Sequence, residues 1–422
     1  MPRDRIFLSI GLALVSLSAN SQTRSDLPGE HEFGFRSRYQ QTQDDWFENA
    51  TALTTRLILK SNFVLDPNEK WRLFLQPNFV APHIDDYNSI ADFNSRSIIP
   101  DTKGPSLTQG LIGYDGITNW RFKLGRQSLS YDNERMVGNL EYWQTPQSFD
   151  AFSVEYRDEI NWHIQYAYSN RVHRIFGPDA KRRLPTSDTR YDNLNYRPPS
   201  ELGSHELEAH LLHASYRTDN DLIWQAYHYA IDNRDQEAVS SLTTGLKLTH
   251  QFKPQKLKYK YQVEFARQVD AFGNPNPSDT WYSLVEASVQ YRSHSLQLSH
   301  EILSEDNGVA FQTQFGTNHK FQGWADVFAG YLGQRGVRDT YLTYRGRHKK
   351  LRWRFVAHDF QDYGSDASLG LEYDLELAYR ITRKWEARLV YADFQTNKNW
   401  HPSHIAANFD LTTWFFSIAY NI

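Results

Sequence analysis

Apolar and polar residues alternate along most of the chain with a period of two. Between residues 257 and 265 the odd positions are apolar or aromatic, whereas the even positions hold lysine, glutamine and glutamate. Residues 412–422 repeat the pattern, with Phe415 as the one large side chain on the small and polar face. An apolar face opposite a small or polar one is typical of a strand in a transmembrane β-barrel. The pattern predicts an all-β fold, a transmembrane antiparallel β-barrel.

The links between the alternating segments are short and long in turn. The short links lie near 66–70, 115–119, 157–159, 218–221, 252–255, 292–295, 346–350 and 382–384. The long links lie near 41–50, 82–105, 130–147, 171–203, 232–239, 268–279, 305–337, 361–366 and 395–407. With 311–336 taken as one loop and no strand at 324–332, the chain has about 18 strands, joined by short periplasmic turns and long extracellular loops.

The first residues have the order of a secretory signal peptide. Arg3 and Arg5 precede an apolar run from 6 to 17, and small residues follow at 18–21. The run is shorter than the ~20 residues of a spanning helix, so a membrane anchor is the weaker alternative. We expect residues 1–21 to be a cleaved signal peptide and residues 22–422 to form a single barrel domain.

Composition is consistent with a barrel that has a wet interior. The mean hydropathy is −0.67, and no stretch approaches the roughly 18 apolar residues of a transmembrane helix, which excludes a helical membrane protein. Aromatic residues make up 15% of the chain, as girdles at both membrane interfaces would require. The chain has no cysteine, so strand pairing must supply its stability. A soluble β-propeller is the competing fold, but no repeat of about 40–50 residues is visible.

Charged residues opposite the apolar face should point into the lumen, because charge is costly on the lipid face. By this parity the predicted lumen set is Arg56, Lys60, Arg72, Lys123, Lys258, Lys260, Arg345, Arg347, Arg352 and Arg354. Arg36 and Arg38 have the same parity, and Glu372 to Glu376 is the acidic counterweight. Rings of Arg and Lys select anions, so we predict a partly basic, anion-selective pore. The alternative is a general porin eyelet, in which basic and acidic residues face each other and select by size.

Two segments carry a family resemblance. The first reads Leu-Gly-Arg-Gln-Ser-Leu-Ser-Tyr-Asp-Asn-Glu-Arg-Met-Val-Gly over 124–138, followed by Trp-Gln at 143–144 and Ser-Phe-Asp-Ala at 148–151. The second reads His-Lys-Phe-Gln-Gly-Trp-Ala-Asp over 319–326. As a pair they resemble the alginate-export family of outer-membrane barrels. The resemblance spans residues 30–422 and implies a channel that passes the anionic polysaccharide alginate out of the cell.

Three charged residues of the first segment are candidates for the solute path. Arg126 and Arg135 lie at the end of one strand and in the loop after it, and Asp150 opens the next strand. An arginine at a constriction could hold a passing carboxylate or sugar hydroxyl with its fork of donors. Alternatively, the three residues form an ion-pair network that ties the loop to the wall. Parity places Arg126 with the lipid-facing residues, so its lumen role requires a bulge near Gly125.

Other chemistry has little support in the sequence. It shows no nucleophile motif, no phosphate-binding glycine loop and no histidine pair at zinc spacing, so we predict no enzyme activity, no metal site and no cofactor. A net charge of −4 does not favour a nucleic-acid partner. The expected partners are outer-membrane lipid, lipopolysaccharide, the barrel-assembly machinery and an anionic sugar polymer or oligomer as solute.

The sequence thus predicts a channel of the bacterial outer membrane that passes anionic polysaccharide or its oligomers, such as alginate-like uronates, by passive diffusion. An uptake porin for small acidic sugars or carboxylates is the alternative with the same fold. A barrel enzyme, or an adhesin that uses the long loops at 171–203 and 305–337, is the alternative from another class.

Overall fold

A computed structural model describes residues 29–184, 196–329, 335–397 and 409–421. Its strands are β1 (Gly29–Asp44), β2 (Ala50–Val64), β3 (Trp71–Asp86), β4 (Gly104–Ile117), β5 (Trp120–Gln127), β6 (Ser148–Arg157), β7 (Trp162–His173), β8 (Ser204–Arg217), β9 (Leu222–Asn233), β10 (Ser241–Phe252), β11 (Leu257–Asp270), β12 (Asp279–Tyr291), β13 (His294–Leu303), β14 (Glu305–Asp306), β15 (Val309–Ala310), β16 (Val337–His348), β17 (Leu351–Asp362), β18 (Ser368–Arg380), β19 (Trp385–Thr396) and β20 (Leu411–Asn421). Short 3-10 helices lie at Pro199–Glu201, Glu237–Val239 and Val327–Ala329. The predicted signal peptide at 1–21 lies outside the described residues.

The strands form one closed antiparallel barrel. Its sheet has 18 strands, and β14 and β15 form a separate hairpin within a loop. Each barrel strand pairs with the next along the chain, and β20 returns to pair with β1. The predicted barrel of about 18 strands is confirmed. β20 closes the barrel by pairing with Gly34 to Asp44 of β1.

Short and long links alternate around the barrel as predicted. Residues 292–293 join β12 to β13 and residues 349–350 join β16 to β17, whereas the links after β3, β5, β7 and β13 are long. The described residues between β13 and β16 hold only the β14–β15 hairpin and one 3-10 helix, so Trp324 belongs to a loop. The even count places both ends of the sheet on the side of the short turns, which is the periplasmic side.

The outer surface of the barrel is an apolar belt. Large side chains exposed on its mid-strand positions include Leu57, Leu59, Leu124, Phe152, Leu212, Trp224, Leu246, Val263, Val285, Leu298, Leu342, Phe355, Tyr373, Tyr391 and Phe416. Soluble proteins rarely expose contiguous apolar area of this extent, whereas a bilayer covers it. The closed barrel and its belt define an outer-membrane β-barrel, in agreement with the predicted location.

Paired aromatic rings border the belt at the periplasmic ends of the strands. The pairs lie 4.6 to 5.0 Å apart between ring centroids and are Trp71 with Tyr114, Trp120 with Tyr156, Trp162 with Tyr216, and Trp385 with Tyr420. Amphipathic rings at this level anchor a barrel in the interface. Among the described residues, no helix is long and apolar enough to cross a membrane.

Three long loops fold into the barrel and narrow its lumen. They are the β3–β4 loop (87–103), the β5–β6 loop (128–147) and the β13–β16 loop (304–336). Apolar side chains of the β5–β6 and β13–β16 loops join inward wall residues in one buried cluster, whereas Tyr87 and Ile99 of the β3–β4 loop form a second, smaller cluster with β2. In the larger cluster Phe315 packs edge-on against Phe149 of β6, with ring centroids 5.5 Å apart. Buried loop contacts of this kind fix the charged and aromatic side chains of the constriction.

Candidate functional site

The β5–β6 loop crosses the lumen, and Asp132 fixes its start. Asp132 accepts hydrogen bonds from His213 of β8 and Gln225 of β9. Burial acts to raise the pKa of Asp132, but the hydrogen bond from His213 and the charge of Lys247 outweigh it, so this pKa lies below its ordinary value. The carboxylate therefore stays ionised at neutral pH and holds the loop against the wall.

Arg135 fixes the middle of the same loop. Its side chain is fully buried, with Nε donating to Oε1 of Glu301 on β13 at 2.8 Å and Nη2 donating to Oε2 at 3.3 Å. Its Nη1 donates to the main-chain oxygen of Thr317 and to Asn318 in the β13–β16 loop. Arg135 thus ties both loops to the barrel wall. Of the two predicted roles the geometry matches the ion pair, although the partner is Glu301 and not Asp150.

Aromatic side chains of the two loops meet in the lumen. The ring centroid of His319 lies 3.6 Å from that of Tyr142 and 6.3 Å from that of Trp324. Trp143 packs edge-on against Tyr142 at 4.8 Å. We call these four residues the aromatic bridge. Phe415, the large inward exception of β20, lies 5.6 Å from Tyr142 and is buried beneath the bridge.

Two arginines stand side by side on the wall next to the aromatic bridge. Arg36 of β1 is the direct cross-strand partner of Arg56 of β2, and we call them the arginine pair. Arg36 donates to Gln144 Oε1 at 2.9 Å and to two carbonyl oxygens of the β5–β6 loop, and Arg56 donates to Asn78 Oδ1 at 2.6 Å. In the described part of the chain, neither guanidinium forms an ion pair with a carboxylate within 4.0 Å. The arginine pair is therefore a concentration of positive charge without an ion-pair contact, and the carboxylates that act on it, Glu141 and Asp101, lie farther away.

The neighbouring Arg38 is neutralised by the β3–β4 loop. Its Nη2 bonds to Oδ1 of Asp101 at 2.5 Å, and both side chains are buried. The other oxygen of Asp101 accepts a hydrogen bond from Thr54 at 2.8 Å. Because Asp101 forms its ion pair with Arg38, the arginine pair carries the excess positive charge on this wall.

Basic and acidic residues balance each other on the wall of β17 to β19. Arg352 bonds to Glu386 at 2.5 Å, and Arg388 lies 3.1 Å from Glu386 and 3.6 Å from Glu376. Arg354 lies 4.0 Å from the same Glu376. This wall matches the alternative of a balanced eyelet, whereas the wall of β1 and β2 matches the predicted basic lumen. The two alternatives thus describe different sides of one pore.

Arg354 also connects the wall to the β13–β16 loop. Its guanidinium carbon lies 4.2 Å from the ring centroid of Trp324, the end of the aromatic bridge. Burial and the charge of Arg354 lower the pKa of the nearby Lys320. The aromatic bridge therefore runs between two arginines. Arg38 of β1 lies over the rings of Tyr142 and Trp143, and Arg354 of β17 lies over the ring of Trp324.

The remaining predicted lumen residues have inward parity and lie near the periplasmic ends of their strands. Lys60 pairs with Glu32 at 3.4 Å, Arg72 pairs with Glu69 at 3.3 Å, and Arg345 donates to Gln297 at 2.9 Å. The others at this level are Lys123, Lys258, Lys260 and Arg347. They border the periplasmic mouth below the constriction, and their part in solute passage stays a prediction.

Arg126 and Asp150 lie on the outer face of the barrel. β5 pairs with β6 without a register shift over residues 120–127, so Arg126 stays on the face of Leu124, which is 63% exposed. Gly125 has a φ of 123° but makes no bulge. Arg126 binds both oxygens of Asp150, at 2.8 and 3.2 Å. The condition for a lumen role is not met, and we leave both residues out of the solute path.

An extracellular vestibule opens above the constriction. It is a cavity of about 860 Å³ between the loops and the wall. Amide and aromatic side chains predominate in its lining, among them Gln40, Gln147, Asn233, Gln314, Tyr142 and Trp143. A solute that enters it meets hydrogen-bonding groups first. Trp143 in this lining accepts a hydrogen bond from Arg36 through its main-chain oxygen, whereas Arg56 is buried, with 2% of its surface exposed.

Sequence reasoning did not identify Asp101, Glu301 or the aromatic bridge. Asp101 and Glu301 are separated from their arginine partners by 63 and 166 residues. No local pattern marks such a partner. The only signal for the bridge was the pair of motifs, because 143–144 and 319–326 contain Trp143, His319 and Trp324.

The fold is a closed 18-stranded barrel whose lumen is narrowed by inward loops. No family model and no curated protein match the chain, but solved structures do. OccAB2 of Acinetobacter baumannii has a TM-score of 0.67 and 13% identity, with 93% of this chain and 98% of that chain covered. OccAB4 of the same organism has a TM-score of 0.69 and 11% identity, with 94% and 99% covered. OpdK of Pseudomonas aeruginosa, solved with vanillate, has a TM-score of 0.68 and 13% identity, with 93% and 98% covered.

These similarities establish the fold of the chain, an outer-membrane barrel of the type found in the Occ and Opd porins. The predicted outer-membrane channel architecture agrees with them. The narrower resemblance to the alginate-export family has no family model in its support. What the channel passes is therefore argued below from its own residues.

Proposed function

We propose that the chain is a passive outer-membrane channel through which small carboxylates enter the periplasm. The arginine pair carries this proposal. Like charges directly opposite each other in a sheet destabilise it, so Arg36 and Arg56 gain a favourable interaction when an anion lies beside them. A guanidinium fork matches a carboxylate in shape and charge.

The two loops that are fixed inside the lumen, β5–β6 and β13–β16, favour a small solute over a polymer. The β5–β6 loop is tied to β8 and β13 through Asp132 and Arg135, and the aromatic bridge links it to the β13–β16 loop. A polysaccharide chain would have to thread past both loops along its whole length. A small carboxylate needs only the space between the vestibule and the arginine pair.

The comparison with OpdK is consistent with a small aromatic or sugar acid as solute. That structure was solved with vanillate, which is an aromatic carboxylate. In the present chain the aromatic bridge lies beside the arginine pair, so a ring could stack while its carboxylate contacts the guanidinium groups. Alginate-like oligomers, the solute of the first prediction, carry the same carboxylate and remain a second candidate for the same site.

Replacing both arginines by glutamine should reduce anion selectivity severalfold. In planar bilayers under a salt gradient, we expect the native channel to show an anion-selective reversal potential and to be blocked by vanillate. The double variant Arg36→Gln with Arg56→Gln should approach an unselective potential and lose the block. Adding uronate oligomers of increasing length separates the two candidate solutes, because only short ones should pass the seated loops.

Arg126→Gln is the control, because it removes an arginine charge from the outer face instead of the lumen. Its selectivity should equal that of the native channel. Cation selectivity of the native channel, or an equal change in the control and the double variant, would contradict the proposal.

A further inference from the structure

A buried acidic cluster lies between the barrel wall and the β5–β6 and β13–β16 loops. Its carboxylates come from β13, β16 and β18 and are all inaccessible to solvent: Glu301, Asp339, Glu372 and Asp374. The positive charges in contact with them are Arg135, paired with Glu301, and His358, whose Nδ1 lies 2.9 Å from Asp339 Oδ2. Even when His358 is protonated, these two cations face four carboxylates. The cluster has more negative charge than its cations can balance.

The excess is concentrated on β18. Both carboxylate oxygens of Asp374 and Oε2 of Glu372 are buried without a hydrogen-bond partner in the described protein. The nearest cation, Nε2 of His358, is 3.5 Å from Asp374 Oδ2. Glu372 and Asp374 are successive inward residues of β18, so their buried carboxyl groups occupy the same face of the strand. Two carboxylates at one buried site do not both ionise, because like charges repel strongly where water is excluded.

The same carboxylates support the β13–β16 loop. The main-chain nitrogen of Ala325 donates to Oε1 of Glu372 at 2.8 Å. Gly323 has a φ of 79°, and a Cβ at this position would collide with the Glu372 carboxyl group. The segment 319–326, which contributes His319 and Trp324 to the aromatic bridge, therefore packs closely against Glu372.

We propose that Glu372 and Asp374 bind one shared proton, and that this proton keeps the β13–β16 loop seated in the lumen. With the proton bound, one carboxyl group donates a hydrogen bond to the other and the pair carries a single negative charge beside His358. When the proton leaves to solvent, two adjacent buried charges remain. Their repulsion is relieved when the loop lifts and water reaches them, which widens the pore. The proposal concerns the position of the loop and does not depend on which solute passes.

The ionisable groups around the pair act in the same direction. On the strands and the β5–β6 loop they are Arg135, Glu301, Asp339, Tyr341, Arg354, His358 and Glu376. On the β13–β16 loop they are His319, which pairs with Asp326, and Lys320, which pairs with Glu134. On β19 the cross-strand partners of Glu372 and Asp374 are Phe394 and Ala392, which do not ionise. Raising the pH removes protons from His358 as well as from the carboxyl pair, so both changes increase the net negative charge. Among the described residues, no group of three or more His, Asp or Glu is arranged to hold a metal ion, which leaves the proton as the proposed counter-charge.

A spin label on the loop tests the proposal directly. The chain has no cysteine, so Lys320→Cys gives a single attachment point on the β13–β16 loop. Spectra are recorded from about pH 5 to about pH 10, a range in which ordinary carboxylates are ionised and Asp132, with its lowered pKa, keeps its charge. Above the midpoint, the ratio of mobile to immobile label should rise by about tenfold per pH unit for the one proton of the carboxyl pair, and more steeply where His358 also loses its proton.

Glu372→Gln should keep the label immobile over the whole range. Its amide oxygen still accepts the Ala325 hydrogen bond, and it has no proton to lose. Asp374→Asn should behave in the same way and provides the test if Glu372→Gln does not fold. Glu32→Gln, which removes a carboxylate at the periplasmic mouth away from the loop, is the control and should respond to pH as the native chain does. Folding of each variant is checked by heat-dependent migration on gels.

Three results would overturn the proposal. They are an immobile label at every pH in the native chain, an unchanged pH response in both Glu372→Gln and Asp374→Asn, and release of the loop by a chelator at constant pH. Because the label reports loop position, it is independent of ion selectivity. A channel that proves cation-selective while the label responds as expected would contradict only the proposed function.

Discussion

Arg135 illustrates how a charged side chain is held inside the barrel. It is fully buried and paired with the equally buried Glu301. A buried ion pair contributes little net stability compared with apolar residues, but removing one partner leaves an uncompensated charge. The pair therefore determines where the β5–β6 loop lies more than how stable the barrel is.

Arg135→Gln should destabilise the folded protein by about 3–5 kcal/mol, because Glu301 loses its partner in a site without water. The free energy of unfolding, from urea titration of the protein refolded into lipid vesicles, measures the loss. A double variant, Arg135→Met with Glu301→Met, should recover most of it. Equal losses in the single and double variants would mean that the ion pair is not the cause.

The alternation of side chains along a strand predicts which face each charged strand residue takes, but not which partner it finds. Parity correctly placed Arg36, Arg56 and Arg354 on the inward face, because side chains alternate strictly along a strand. It equally placed Arg126 on the outer face, and only the hypothesis of a bulge at Gly125 suggested otherwise. The pairing of Arg135 with Glu301 was beyond prediction, because their contact depends on how a loop folds back across the lumen.

At the scale of elements, Gly316 allows the β5–β6 and β13–β16 loops to pack closely together. A Cβ on Gly316 of the β13–β16 loop would collide with the main-chain oxygen of Arg135 in the β5–β6 loop. Main-chain atoms at a buried contact cannot move as the end of a flexible side chain can. The close approach of the loops, and with it the narrow lumen, therefore depends on this position.

Gly316→Ala should separate the loops and raise single-channel conductance, at a cost of about 1–3 kcal/mol for the overpacked contact. Conductance in planar bilayers measures the effect. Gly308→Ala in the same loop is the control: its φ is 77° but nothing lies near its Cβ, so it should cost about 1–2 kcal/mol of backbone strain and leave conductance unchanged. Unchanged conductance in Gly316→Ala would show that this contact does not set the width of the pore.

The sequence predicted these loops as elements but not their direction. Length and loss of alternation marked 130–147 and 305–337 as loops, and the described residues of both lie between barrel strands, except Val337, which begins β16. Their inward fold arises from contacts such as Phe315 with Phe149, which join residues far apart in the chain. An apolar loop residue reads the same in the sequence whether it packs inside the barrel or above it.

At the scale of the whole molecule, stability rests on closure and on the apolar belt. Leu298 lies in the middle of β13, is 55% exposed, and faces outward between Ala287 and Leu342. A charge placed there would lie near the middle of the bilayer. Lipid-facing positions of this kind tolerate charge poorly, whereas lumen positions at the same depth carry it readily.

Leu298→Arg should lower the free energy of unfolding by about 2–4 kcal/mol in lipid vesicles. Leu298→Met keeps the position apolar and should change it by less than about 1.5 kcal/mol. Urea titrations of both variants in the same lipid provide the comparison. If the two substitutions cost the same, Leu298 does not face the hydrocarbon core.

The sequence by itself determined the barrel, because alternation and link length are local properties that each strand carries without reference to the others. Parity likewise determined which side of the wall each charged strand residue takes. Only the tertiary structure decided which charged wall residues are paired, since Asp101 of the β3–β4 loop reaches Arg38 and Arg135 of the β5–β6 loop reaches Glu301 across the lumen. The same loops decided that Arg36 and Arg56 remain beside the aromatic bridge without a carboxylate partner, and this arrangement underlies the proposed passage of small anions.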